Sequence, residues 1–172
     1  ATNCQITLPT ITPSAGYIID GWYSGNSKVG NVNDKYTVSN NETLTAEATP
    51  ATYTVTYDYS TNGGSKADKE TSTVEYGENI DLNVKAYKDG WTFVGWNTNK
   101  NAEDGLNNLT MKEDNITLYA IYRKEARTIT ITFNKNGASS ISSTSKSCTI
   151  PAAYNGTAQG TTCNITSPTI TA

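Results

Sequence analysis

From Tyr53 to Tyr59 the chain reads Tyr-Thr-Val-Thr-Tyr-Asp-Tyr, apolar or aromatic at every second position and polar between. That period of two predicts a strand with one face buried. Asn62-Gly63-Gly64 supplies turn chemistry, and Ser72–Tyr76 then returns as the second strand of a hairpin. Asn79–Val84 reads as a third strand, and Trp91–Trp96, with Gly90 before it and Gly95 within it, as a fourth. Asn115–Tyr122 closes the series, with Ile116, Leu118, Ala120 and Tyr122 on one face. Between them, Asn101–Lys112 has no clear period and predicts a loop or one short helical turn. Ala1–Pro9 also reads as strand.

The same pattern recurs along the chain. Gly16-Tyr17-Ile18-Ile19-Asp20-Gly21-Trp22 matches Gly90-Trp91-Thr92-Phe93-Val94-Gly95-Trp96 at an offset of 74. Leu44-Thr45-Ala46 matches Leu118-Tyr119-Ala120, Ile6 and Leu8 match Ile80 and Leu82, and Val55, Tyr57, Asn62 and Gly63 match Ile129, Ile131, Asn136 and Gly137, all at the same offset. A fixed period of this length marks a repeat architecture. Residues 1–50 form the back part of one unit, 51–124 a complete unit, and 125–172 the front part of a third. Cys163–Thr171 repeats Cys4–Thr12 at 159, two periods plus 11, so the last part carries an 11-residue insertion around Ala153–Thr161.

Composition agrees with short strands joined by many turns. Among 172 residues there are 29 threonines, which favour strands, and 19 asparagines, which favour turns. The apolar fraction is only 35%, so the core must be thin or divided among small modules; 11 tyrosines and three tryptophans compensate by burying large areas. The fold class is mainly β, α+β at most. Net charge is −3 with both signs scattered along the sequence, which argues against nucleic acid as a partner. No apolar run is long enough to insert into a membrane.

The ordered set Thr54–Asp58, Asn62–Gly64, Val74–Gly77, Gly90–Trp96 and Ile116–Tyr122 resembles the Listeria–Bacteroides repeat, the B-repeat class of internalin-type surface proteins. The outer parts carry the matching halves, so the resemblance covers most of the chain. It implies small β-grasp-like modules of about 74 residues, strung in tandem on secreted or cell-surface bacterial proteins. It implies a stalk, spacer or adhesive role rather than catalysis. The cysteines and the insertion depart from the family's usual pattern.

Trp22 and Trp96 read as core anchors, because a glycine before each lets backbone or ring approach closely. Tyr17 and Trp91 lead the same strands and read as further aromatic anchors. The competing reading is a binding surface for an unknown host protein or glycan, with Tyr23 and Tyr87 as candidate ligand contacts beside Tyr17 and Trp91.

Mapped through the repeat, Cys148 falls at the position of Val74 and Cys163 at that of Glu78, two positions joined by a tight turn in the complete unit. A Cys148–Cys163 disulfide is therefore expected, closing the insertion at its base and fitting an oxidising compartment. Cys4 is left over, as an unpaired or intermolecular thiol. Three cysteines without histidine make a poor zinc site. The absence of histidine also removes Ser-His-Asp and Cys-His chemistry, and no phosphate- or dinucleotide-binding motif occurs. No cofactor and no enzymatic activity are expected. The expected partners are neighbouring repeats of a longer parent chain. Residues 1–50 and 125–172 are also expected to complete one another, within one chain or head to tail between molecules.

Overall fold

The computed structural model describes residues 4–171, so Ala1–Asn3 of the first predicted strand lie outside the described residues. Among these the fold is all β, with no helix. Residues up to 50 contain β1 (Cys4–Thr7), β2 (Tyr17–Ser24), β3 (Ser27–Gly30), β4 (Lys35–Val38) and β5 (Leu44–Pro50). The middle of the chain follows with β6 (Thr52–Asp58), β7 (Lys66–Ala67), β8 (Thr71–Glu75), β9 (Ala86–Tyr87), β10 (Thr92–Asn97) and β11 (Ile116–Lys124). The last part contributes β12 (Arg127–Thr132), β13 (Ser140–Ile141), β14 (Ser145–Ile150), β15 (Ala153–Tyr154) and β16 (Ile170–Thr171).

The principal sheet runs β10-β11-β6-β8, with β15 added to β11. β3-β2-β5 forms a second sheet, and two-stranded ladders join β1 to β4, β7 to β9, β12 to β14 and β13 to β16. The strands of the first part pair among themselves. Those of the last part pair among themselves and, through β15, with β11.

The repeat is visible in the pairing register. Trp22 lies opposite Ala46 and Trp96 opposite Ala120; Ile19 lies opposite Ala48 and Phe93 opposite Tyr122. A β-bulge falls at the same place in both, between Ile19 and Gly21 and between Phe93 and Gly95. A bulge inserts one residue and re-aims the side chains beyond it, which turns Phe93 and Trp96, three residues apart, into edge-to-face ring contact at 5.5 Å. Gly95 sits in the bulge at φ +154, and a Cβ there would come within 2.9 Å of the Gly105 Cα. This close approach of backbone explains the glycine before the tryptophan.

Two local expectations changed. Asn79–Val84 is extended and buries Ile80 and Val84, yet forms no ladder beyond a single bridge from Asn79 to Thr110. Its polar groups go elsewhere: Ile80 N–H donates to Leu109 O, and Val84 O accepts from the Trp96 indole. The alternation there reported a buried face, and pairing is a separate matter. Asn101–Lys112 contains no helical turn. The chain entering it is folded by side-chain bonds, Asn99 N–H to Asn97 Oδ1 and Asn101 N–H to Asn99 Oδ1, as Asx turns.

By internal packing the chain forms two compact units. One comprises Ala1–Thr56, Thr71–Asp81 and Asn108–Ile116, and its buried apolar side chains are Leu8, Val55, Ile80 and Met111. The other comprises Tyr57–Glu70, Leu82–Asn107 and Thr117–Ala172. Its core is built on Trp96, with Tyr57 at 5.1 Å between ring centroids and Phe93 beside it, and adds Leu118, Ala120, Ile121, Tyr122 and Ile150.

Candidate functional site

The end of β11 is where β15, from the loop that the Cys148–Cys163 disulfide closes, joins the principal sheet. β15 adds to it antiparallel, Tyr154 opposite Arg123 and Ala153 opposite Lys124. The chain then turns back over Asn155-Gly156, both at positive φ, closed by Thr157 N–H donating to Tyr154 O at 2.9 Å. This is the geometry that Asn-Gly favours.

Asn155 holds the turn in place through three bonds. Its backbone N–H donates to Tyr122 O at 2.9 Å, its Oδ1 accepts from Tyr122 N–H at 3.2 Å, and its Nδ2 donates to Ala102 O at 2.6 Å. Asn62, buried, does comparable work, donating from Nδ2 to Lys100 O and Ala120 O, each at 2.9 Å. Two asparagine turns thus grip the same strand and the same loop. The Cys148–Cys163 disulfide, with Cα atoms 5.9 Å apart, ties the base of the inserted loop. Gln159 Nε2 fixes its far side by donating to Glu125 O and Pro151 O.

Lys88 lies beside these turns. Its ammonium donates to Asn62 O at 2.6 Å and stands 4.3 Å from the Trp91 ring centroid and 5.5 Å from that of Tyr122. Partial burial pushes its pKa down. Tyr122, fully buried, is pushed up to about 12, chiefly by burial and further by the charge of Asp58.

Trp91 lines two grooves. One, of about 540 Å³, is bounded by Thr92, Arg123, Lys124, Arg127 and Gln159. The other, of about 410 Å³, is bounded by Lys85, Tyr87 and Lys88. Lys85, Lys88, Arg123, Lys124 and Arg127 thus line the two grooves that share Trp91, against Glu125 and Asp89, and Lys88 stands over the indole itself. Of the five, Arg123 alone is in an ion pair among the described residues, with Glu125 at 2.6 Å. Arg123 Nε is buried without a hydrogen-bond acceptor. The scattered charge of the sequence is gathered here by the fold.

The structure places the other expected residues as follows. Trp96 is fully buried, its indole N–H donating to Val84 O at 2.7 Å. Trp22 is half-buried and donates in the same way to Pro9 O at 2.9 Å. Tyr17 is 40% exposed and packs edge-on against Tyr76; Trp91 is half-buried beside Lys88. These last two stand at the entrance of their strands, ahead of Ile19 and Phe93, and neither is fully buried. Tyr23 is half-buried and its hydroxyl donates to the Asp20 carboxylate. Tyr87 is exposed, with Lys66 Nζ 4.8 Å from its ring centroid and its hydroxyl donating to Asp68. Cys4 is exposed and free, opposite Val38 in the β1–β4 ladder. Sequence reasoning missed Lys88 and the side-chain roles of Asn62 and Asn155. The two Asn-Gly pairs were readable as turns, but their targets lie 58 and 33 residues away.

The family model described as the Listeria-Bacteroides repeat domain matches residues 1–47 and 53–121. Internalin H of Listeria monocytogenes serovar 1/2a is 33% identical over 127 residues, 71% of this chain and 22% of that protein. Two Evansella cellulosilytica proteins, both named as membrane proteins and one as Gly-rich, also match. The Gly-rich one is 28% identical over 74% of this chain and 16% of its own length. The other is 31% identical over 80% of this chain and 20% of its own length. The chain thus spans about a fifth of the length of these relatives. No solved structure matches it significantly.

Proposed function

The chain belongs to the Listeria-Bacteroides repeat family, and from that premise we propose that it is a non-catalytic segment of a bacterial cell-surface protein, a stalk of consecutive modules. The observation that carries this reading is the joint between the complete repeat and the part that follows it. Strand addition by β15, the three bonds of Asn155 and the Cys148–Cys163 disulfide all act at that one joint. A spacer needs stiff joints, because a flexible one loses reach as its end-to-end distance grows only with the square root of its length. The relatives named as internalin and membrane proteins support a cell-surface or membrane-associated setting, and the disulfide supports an oxidising one.

The experiment replaces this segment in its parent protein by an unrelated rigid spacer of equal length, and measures surface display and contact with the protein's target. A stalk keeps both. Loss of contact with display intact overturns the spacer reading and makes the segment an adhesive module.

A second reading, head-to-tail self-association, has its own observation. In the complete repeat β6 lies between β11 and β8, and its Val55 and Tyr57 are buried. Among the described residues the counterpart strand β12 pairs with β14 alone, and its Ile129 and Ile131 are 37% and 44% exposed. An unpaired edge carrying apolar side chains invites the back part of another unit.

A further inference from the structure

The two grooves that share Trp91 serve no purpose in a spacer, and their chemistry is specific. We propose that they form a binding site for an acidic polysaccharide, a chain of sugar rings bearing carboxylates. This inference goes beyond the stalk reading and does not rest on it.

The indole is the first element. Trp91 is half-buried and lines both grooves, with the Lys88 ammonium 4.3 Å from its ring centroid, so apolar ring and cation stand side by side there. The C–H face of a pyranose ring packs on an aromatic surface, and tryptophan offers the largest one. Charge is the second element. Lys85, Lys124 and Arg127 line the grooves without a carboxylate partner among the described residues, in a protein whose net charge is −3. Arg127 can present paired N–H donors, which match a carboxylate. Arg123 brings a buried Nε that has no acceptor, with its other end on Glu125. Rigidity is the third. The disulfide-closed loop fixes Gln159 through two hydrogen bonds, and β10 and β11 fix Thr92 opposite Arg123. A fixed rim lowers the entropy lost on binding. The larger groove, at about 540 Å³, falls in the range of small-ligand sites. Neutral sugars would leave the cations unused.

The test titrates the protein with an oligogalacturonate and follows indole and backbone N–H signals by NMR. A neutral glucan oligomer of equal length and polyglutamate serve as controls. The expected result is movement of the Trp91 indole signal and of the Thr92 and Arg127 amides, with the buried Trp96 indole signal as an unmoved reference. Affinity should fall by about tenfold in Lys124→Gln/Arg127→Gln, whose exposed side chains can change without disturbing the fold. Trp91→Ala should remove binding, and its unshifted Trp96 signal shows whether that variant is folded. Equal response to the neutral glucan, equal response to polyglutamate, no response at all, or full affinity in the Lys124/Arg127 variant each overturns the proposal.

Discussion

Gly64 has no space for a methyl group: a Cβ there would lie 2.0 Å from Tyr122 Oη and 2.5 Å from Tyr59 O. The second atom is backbone and cannot rotate away. Gly64→Ala should therefore cost about 2 kcal/mol, read as a lower urea midpoint with an unchanged slope. Tyr122 itself makes a pH prediction. Its folded pKa, about 12, lies above the ordinary tyrosine value, so between roughly pH 10 and 12 the folded state holds a proton that the unfolded state has released. The stability gained from this is complete below pH 10 and is lost as pH rises through 12. Unfolding free energy should fall by about 2 kcal/mol across that window, and Tyr122→Phe should flatten that part of the fall. The variant also loses the hydroxyl's bond to Tyr59 O, which lowers its stability at neutral pH by about 1 kcal/mol.

The hairpins and the inserted loop differ in what holds them. β10 and β11 share a register of five residue pairs and a packed face, while β15 has two pairs and leans on Asn155 and the disulfide. Removing the bridge with Cys148→Ser/Cys163→Ser opens a loop of sequence separation 15 and should cost about 3 kcal/mol in the chain-entropy model. Hydrogen exchange should then show early loss of protection at Asn155 N–H, with the β10–β11 amides still slow. Asn155→Ala should loosen the same element with the disulfide intact. It leaves Tyr122 N–H and Ala102 O without their side-chain partner, at about 1–3 kcal/mol. Retained protection at Tyr122 N–H in that variant would contradict the gripping role given to Asn155.

For the molecule as a whole, the exposed face of β12 is the feature that bears on assembly. If the back part of another copy covers Ile129 and Ile131, mass by light scattering should rise with concentration. Ile129→Lys/Ile131→Lys should hold the protein monomeric without lowering its melting temperature. A wild-type mass independent of concentration sinks the head-to-tail reading and leaves the stalk reading untouched. The acidic-polysaccharide site draws on β9 and the turn after it, the end of β11, Arg127 at the start of β12 and the loop that carries Gln159, and Ile129 and Ile131 line neither of its grooves.

Much of this protein was legible in the chain itself, because its determinants are local. Alternation from Tyr53 to Tyr59, turn residues at Asn62-Gly63-Gly64 and a period of 74 predict strands, hairpins and repeated register, and the bulge recurs where the Gly-Trp pair recurs. The spacing of Cys148 and Cys163 located their bridge for the same reason. What the sequence could not decide depends on which distant groups meet. Asn79–Val84 has a strand's alternation but gives its hydrogen bonds to a loop and an indole. Tyr17 and Trp91 have the repeat's aromatic character but sit at strand entrances, where burial depends on the neighbour. Lys85 and Lys88 stand near Trp91 in the sequence itself, whereas Arg123, Lys124 and Arg127 reach its grooves only when the end of β11 and the start of β12 are brought beside it. Periodicity encodes which face of a strand is buried; the company a side chain keeps is set by tertiary packing.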